Sequence, residues 1–153
     1  QRRIGTLDAT TIAAMDPSHF EAAFRERPAL HRFPGNMAKR TQAFCGAVAE
    51  TYGGDASRIW SEAVDGSDLE RRLLALPGIG DMKAKALLAI LGRRFGLQIE
   101  GLDAVMPTDP TLADVDSADT LAAYQEQKRA YKAKLKSGGG RFDPSAGAPA
   151  RES

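Results

Sequence analysis

Cysteine, histidine, long apolar runs and net charge are all scarce in this chain. One cysteine, Cys45, excludes an intramolecular disulfide framework and any four-cysteine metal site within the chain. The two histidines, His19 and His31, stand too far apart for a helical pair and have no Cys or His cluster around them. Both read as ordinary surface or boundary residues rather than ligands, so no metal site is expected. No apolar run reaches the roughly eighteen residues of a membrane-spanning helix. A secretory h-region is missing as well, and the expected compartment is the cytoplasm. A formal net charge of +1 excludes the overall basic character of many nucleic-acid binders. Alternating β-branched strand patterns are also absent, which leaves an all-α fold.

What charge there is comes in local blocks. Residues 83–94 hold Lys83, Lys85, Arg93 and Arg94 without an acid, and residues 128–136 hold Lys128, Arg129, Lys132, Lys134 and Lys136 without one. Any electrostatic partner surface is therefore local. At 153 residues, 42 % of them apolar, the chain has room for one domain with a core. That domain is expected over 1–136, followed by a low-complexity tail over 137–153, "SGGGRFDPSAGAPARES", with too little apolar surface to order itself. The opening "QRRIG" reads as a helix end with its C-cap glycine, so a missing N-terminal segment is expected.

The rest is punctuated helix. Asp8 or Thr6 can cap "ATTIAAM", and Asp16-Pro17 starts a second helix with the proline at N1. Phe20, Ala23 and Phe24 then lie on one stripe. After the turn "RFPGNM", a longer helix is predicted from Asn36 to Tyr52, closed by Gly53-Gly54, with Met37, Phe44, Val48 and Tyr52 on its apolar face and Cys45 alongside. A short helix over 55–64 holds Trp60, expected as a core anchor. Ser67-Asp68-Leu69-Glu70 matches a capping box, followed by Leu69, Leu73, Leu74 and Leu76 on the buried face. Residues 97–116 read as an acidic, proline-broken loop, and Ser117 caps a final helix to about Lys136. In that helix Leu121, Tyr124, Lys128, Tyr131 and Leu135 recur at helical spacing.

The most informative stretch is "LPGIGDMKAKALLAILG", where helix 67–76 gives way to Pro77-Gly78-Ile79-Gly80 and a helix over 81–95. Glycines at 78 and 80 permit backbone conformations closed to other residues and leave amides uncovered. Those amides stand at a helix N-terminus, where unpaired N–H groups and the helix dipole favour an anion. Ile79 can point inward and pin the turn, while Lys83 and Lys85 add positive charge within the first two helical turns. Such geometry suits one phosphate approached through backbone, which positions a nucleic acid without reading its sequence. A tight helix–helix corner whose glycines serve only packing is the alternative.

"LPGIGDMKAKALL" resembles the helix-hairpin-helix motif of the base-excision DNA glycosylases related to endonuclease III, with Ala84 in the alanine position of the second helix. More widely, "FRERPALHRFPGNMAKRTQAF" and "YGGDASRIW" are similar to a small subgroup of that family, of actinobacterial type and without an iron–sulfur cluster. The wider resemblance covers about residues 5–136. It implies a bundle of about six helices, a monomer that binds double-stranded DNA and no membrane, association with a bacterial nucleoid, and removal of a damaged or mispaired base. It also implies Gly78, Ile79, Gly80, Lys83 and Lys85 as DNA contacts, in some members with a monovalent cation on hairpin carbonyls. The segment that the family places before this point usually inserts into the duplex and walls the base pocket, into which a glycosylase must flip its target.

Departures from the family pattern narrow the chemistry. The slot of the Schiff-base lysine holds Met82, and Lys83 next to it is turned about 100° away on a helix. A monofunctional N-glycosylase without strand cleavage is the expectation. Cys45 alone cannot hold the four-cysteine iron–sulfur cluster of many members, and it argues equally against an iron–sulfur assembly protein. For the catalytic carboxylate, "FGLQIEGLD" follows the family's Phe-Gly start at Phe95-Gly96 and reaches Asp103 at its interval, with Leu102 in the valine slot. Glu100, Asp109 and Asp114 are rivals, Asp114 foremost, because any ionised carboxylate in the cleft could stabilise an oxocarbenium-like sugar or activate water. A non-catalytic DNA-binding module is the competing function.

Overall fold

The computed structural model describes residues 3–137, and of Lys132 and residues 134–137 the backbone alone. The expected tail, 137–153, lies outside the described residues apart from the backbone of Ser137 at the end of the last helix, as do the side chains of Leu135 and of Lys132, Lys134 and Lys136, the whole basic run after Arg129. Every regular element is helical: α1 (Ala9–Ala14), α2 (Pro17–Arg25), α3 (Pro34–Tyr52), α4 (Arg58–Ser61), α5 (Gly66–Leu74), α6 (Asp81–Ala89), a π turn (Ile90–Arg94), α7 (Leu102–Val105), a 3-10 turn (Leu112–Asp114) and α8 (Ala118–Ser137). The all-α expectation holds among the described residues. The chain divides into two compact units: the first runs to Ala63 and adds Arg71–Ile79, and the second takes Val64–Glu70 and everything from Gly80 onward.

The first unit is built on α3. Helix α1 is capped by Asp8, whose carboxylate accepts from the Thr11 amide at 2.7 Å, and α2 by Asp16, which accepts from the His19 amide at 2.8 Å. Both pack on α3 and bury Ile12, Phe20, Phe24, Ala38 and Cys45 together. The Phe20 and Phe24 rings meet at 5.1 Å between centroids, a tilted pair that adds to their burial. Gln42 on α3 donates to the Ile12 and Met15 carbonyls at the C-terminal end of α1, the first of which also accepts from the Met15 amide. Helix α3 begins two residues before the sequence prediction, because Pro34 takes the first helical position where its missing N–H costs nothing. It ends where expected, with Gly53 and Gly54 both at positive φ. Trp60 is only half-buried, and its neighbour Ile59 is the residue α4 buries, so the expected tryptophan anchor is corrected to the isoleucine.

The cap of α5 is also corrected. Asp65, not Ser67, accepts from the N3 amide, that of Asp68, at 2.7 Å, while the Asp68 carboxylate reaches back to the Val64 amide at 3.3 Å. A carboxylate is the stronger acceptor at a helix start, and Glu70 is taken up by Lys85 instead. Leu69, Leu73 and Leu76 are buried as predicted, but Leu74 is 39 % exposed, one position off the buried stripe.

In the second unit α6 buries Ala84, Leu88 and Ala89 and packs on α7 and the 3-10 turn. The predicted continuous helix to residue 95 loosens into a π turn, marked by the Phe95 amide donating to the Ile90 carbonyl at 3.2 Å. Gly92 lets the Met106 side chain pack close there: a Cβ would stand 2.6 Å from Met106 Sδ, and the flexible methionine would have to shift. The presumed loop 97–116 contains α7 and the 3-10 turn, and Ala113 and Leu102 are its buried residues. Ser117 caps α8 as expected, accepting from the Thr120 amide.

Candidate nucleic-acid interface

The Leu76 carbonyl accepts from the Ile79 amide at 3.1 Å, closing a tight turn after α5. Pro77, Gly78 and Gly80 are exposed and Ile79 is half-buried, so the turn presents backbone on one side and a single aliphatic anchor on the other. Gly78 has φ +78°, the left-handed region that a Cβ penalises. Gly80 does not use that freedom. Its φ of −109° and ψ of 178° are extended backbone open to any residue, and a Cβ there would meet nothing within 4 Å. Only the first glycine is conformationally required; the second keeps the approach to the following helix clear.

Helix α6 starts at Gly80 without a side-chain cap. Its first intrahelical bonds run from the Lys83 and Ala84 amides to the Gly80 carbonyl, at 2.9 and 3.0 Å, so the preceding amides lie outside the helical ladder. That is the arrangement that favours an anion. Asp81, exposed in the first turn, is a negative charge at the same helix end and competes with one.

The structure adds a cation that the sequence reading lacked. The Arg40 guanidinium of α3 lies against Gly78, where a Cβ would stand 3.1 Å from Nη2 and 3.4 Å from Nε. No spacing rule could have found it, because Arg40 precedes the motif by most of the first unit and stands out only as half of a Lys39-Arg40 pair. Lys83 is exposed on the first turn of α6. Lys85 is engaged elsewhere: its Nζ lies 2.8 Å from Glu70 Oε1 and donates to the Val105 carbonyl at 2.7 Å. That lysine ties α6 to α5 and α7.

The resemblance also implied a monovalent cation on hairpin carbonyls. The Gly80 carbonyl accepts two helical amides and the Leu76 carbonyl accepts the Ile79 amide, while the Arg40 guanidinium lies against Gly78. Among the described residues no group of His, Cys, Asp and Glu is arranged to hold a metal ion.

The four candidate carboxylates have different surroundings. Asp103 is exposed on α7, just after Gly101, whose φ of +70° turns the chain into that helix. It borders a groove of about 500 Å³ lined by Gly92, Arg93, Leu97, Gln98 and Met106. Asp114 is committed to the fold. It accepts from the Thr111 amide at 2.7 Å and pairs with Arg93 at 2.8 Å. The Thr111 amide foremost, with Arg93, holds its carboxyl below the usual carboxylate range. The Arg93 guanidinium also donates to the Pro107 carbonyl, so this arginine staples the segment around α7. Glu100 contributes its backbone, its carbonyl accepting from the Gly66 amide at 2.8 Å. Asp109 faces α8 in a separate groove.

No family model matches the chain, and neither a curated protein nor a solved structure matches it significantly.

Proposed function

We propose that this chain is a helix-hairpin-helix DNA-binding protein that grips the phosphate backbone of duplex DNA through the turn at 77–80, and that it serves base excision as a monofunctional N-glycosylase. The observation that carries the binding half is the exposed turn at Gly78, with the Arg40 guanidinium against it and an uncapped helix start two residues on. Backbone amides and a guanidinium recognise phosphate without reading bases, so binding is non-specific in sequence and weakened by salt. Lys83 adds charge, while Lys85 is held by Glu70 and the Val105 carbonyl.

The catalytic half rests on Asp103 beside an open groove, and on the family resemblance. In the reaction, water oxygen bonds to the sugar C1′ as the bond to the base nitrogen breaks, and the base leaves with the electron pair and takes up a proton. An ionised Asp103 would stabilise the positive sugar or take a proton from the water. Met82, 57 % exposed in the slot of the Schiff-base lysine, supports base release without strand cleavage.

The exposure of Asp103 favours the rival reading, a DNA-binding module without catalysis, because a carboxylate in high dielectric stabilises a nearby cation weakly. Duplexes carrying single lesions or mismatches, scored for abasic sites after alkali, separate the two. Base release abolished by Asp103→Asn with DNA binding retained supports the enzyme. Binding without release on any duplex supports the module, and no binding overturns both.

A further inference from the structure

A second surface with nucleic-acid chemistry lies on α8, apart from the hairpin. Tyr124 and Tyr131 are seven positions apart, two helical turns or about 10.5 Å along the axis. They line a groove of about 210 Å³ with Lys128, Gln127, Pro110 and Asp109. Tyr131 is 56 % exposed, a large aromatic surface left to solvent. The Lys128 ammonium sits 5.4 Å from the Tyr124 ring centroid and donates to the tyrosine hydroxyl at 3.4 Å. A positive charge is thereby held beside the Tyr124 ring. Arg129 follows, and the sequence continues through Lys132, Lys134 and Lys136 without an acid.

We propose that this face binds single-stranded DNA, an unpaired base stacking on Tyr131 while a neighbouring phosphate meets Lys128. Two aromatic rings and a lysine lining one groove are what a strand with accessible base faces can use. A duplex, whose bases are already stacked, has no use for the rings. Acidic peptides would use the cations but not the rings, and Asp109 would repel them. That carboxylate accepts hydrogen bonds only, and guanine alone presents two adjacent donors, N1–H and the N2 amino group, on one edge. Asp109 therefore selects guanine among the bases that stack.

The test is fluorescence anisotropy of the full chain with a short labelled DNA strand containing guanines, the matching thymine strand, the matching RNA and a duplex. Tyr131→Ala is expected to weaken binding of the guanine strand about tenfold or more, and Tyr131→Phe, which keeps the ring, to retain it. Duplex affinity is expected to be unchanged in both, while Arg40→Ala lowers duplex affinity and leaves the single strand unaffected. Asp109→Asn is expected to erase the preference for guanine over thymine. The proposal is overturned if the wild-type chain does not bind the strand, if Tyr131→Ala binds it as well as wild type, or if the RNA binds more tightly than the DNA. An unchanged guanine preference in Asp109→Asn overturns the base-edge assignment.

Discussion

Arg40 and Gly78 are in register across the first unit, with the guanidinium lying where a side chain at position 78 would begin. The contact makes one glycine answer two demands, a left-handed backbone and room for a cation. Gly78→Ala is expected to cost about 1–3 kcal/mol of stability through backbone strain, and to displace Arg40. Gly80→Ala, in extended backbone with open space around it, is expected to leave thermal stability within about 1 kcal/mol of wild type. Both should weaken duplex binding, the first by disturbing the turn and the second by covering the approach to α6. Melting curves paired with duplex titrations check this. If Gly80→Ala binds duplex normally, the glycines serve packing alone.

The salt dependence of duplex affinity separates the three cations. Arg40→Ala and Lys83→Ala are each expected to reduce the slope of log K against log salt by about 0.9. Lys85→Met is expected to leave the slope unchanged and to lower stability by up to about 1 kcal/mol, since its ion pair with Glu70 is partly exposed. Asp81→Asn should tighten binding, because it removes a competing negative charge from the start of α6. A slope that falls with Lys85→Met would return that lysine to the interface.

Helix existence, the Asp8 and Asp16 caps, the Gly53-Gly54 stop and the hairpin turn were all legible in the sequence, because each depends on residues within one or two turns of each other. Two features were not legible. The α5 cap is local, Asp65 accepting from the Asp68 amide three residues on, but Asp65 and Ser67 are both good caps and the choice falls where Gly66 lies against the Glu100–Gly101 backbone. Lys85 is held by Glu70 and Val105, partners far along the chain that local periodicity does not encode.

Gly66 is expected to be among the least tolerant positions. A Cβ there would stand 2.5 Å from the Gly101 carbonyl oxygen and 2.7 Å from its carbon, both backbone atoms that cannot rotate away. Gly66→Ala should force the segments apart, weaken the bond from its amide to Glu100, and cost about 1–3 kcal/mol. Because that loop leads into α7, base release should fall as well if Asp103 is catalytic. Urea denaturation at matched temperature gives the stability, and an unchanged midpoint would show that the backbone approach is slack.

Asp114→Asn should affect stability and its pH dependence rather than chemistry. Its folded carboxyl titrates below the usual range, so it contributes stability above the unfolded value that is lost as pH falls through the folded one. The contribution is modest, under about 1 kcal/mol, because both partners of the Arg93 pair are partly exposed. The variant should therefore be less stable than wild type at neutral pH and converge with it in acid, by thermal melts across pH. Base release by Asp114→Asn at temperatures where it is folded should match wild type. Loss of release there would move the catalytic role from Asp103 to Asp114.

The sequence by itself determined that the described chain is helical, where most helices stop, and that a proline–glycine turn precedes an uncapped helix. These follow from backbone sterics and hydrogen-bonding groups that act over a few residues. Tertiary structure alone decided which charges reach that turn and which acids are engaged. It brought Arg40 to Gly78, committed Asp114 to Thr111 and Arg93, and left Asp103 exposed beside its groove. A charged side chain has no periodicity that names its partner, so its role is settled only when packing brings distant segments within a few ångströms.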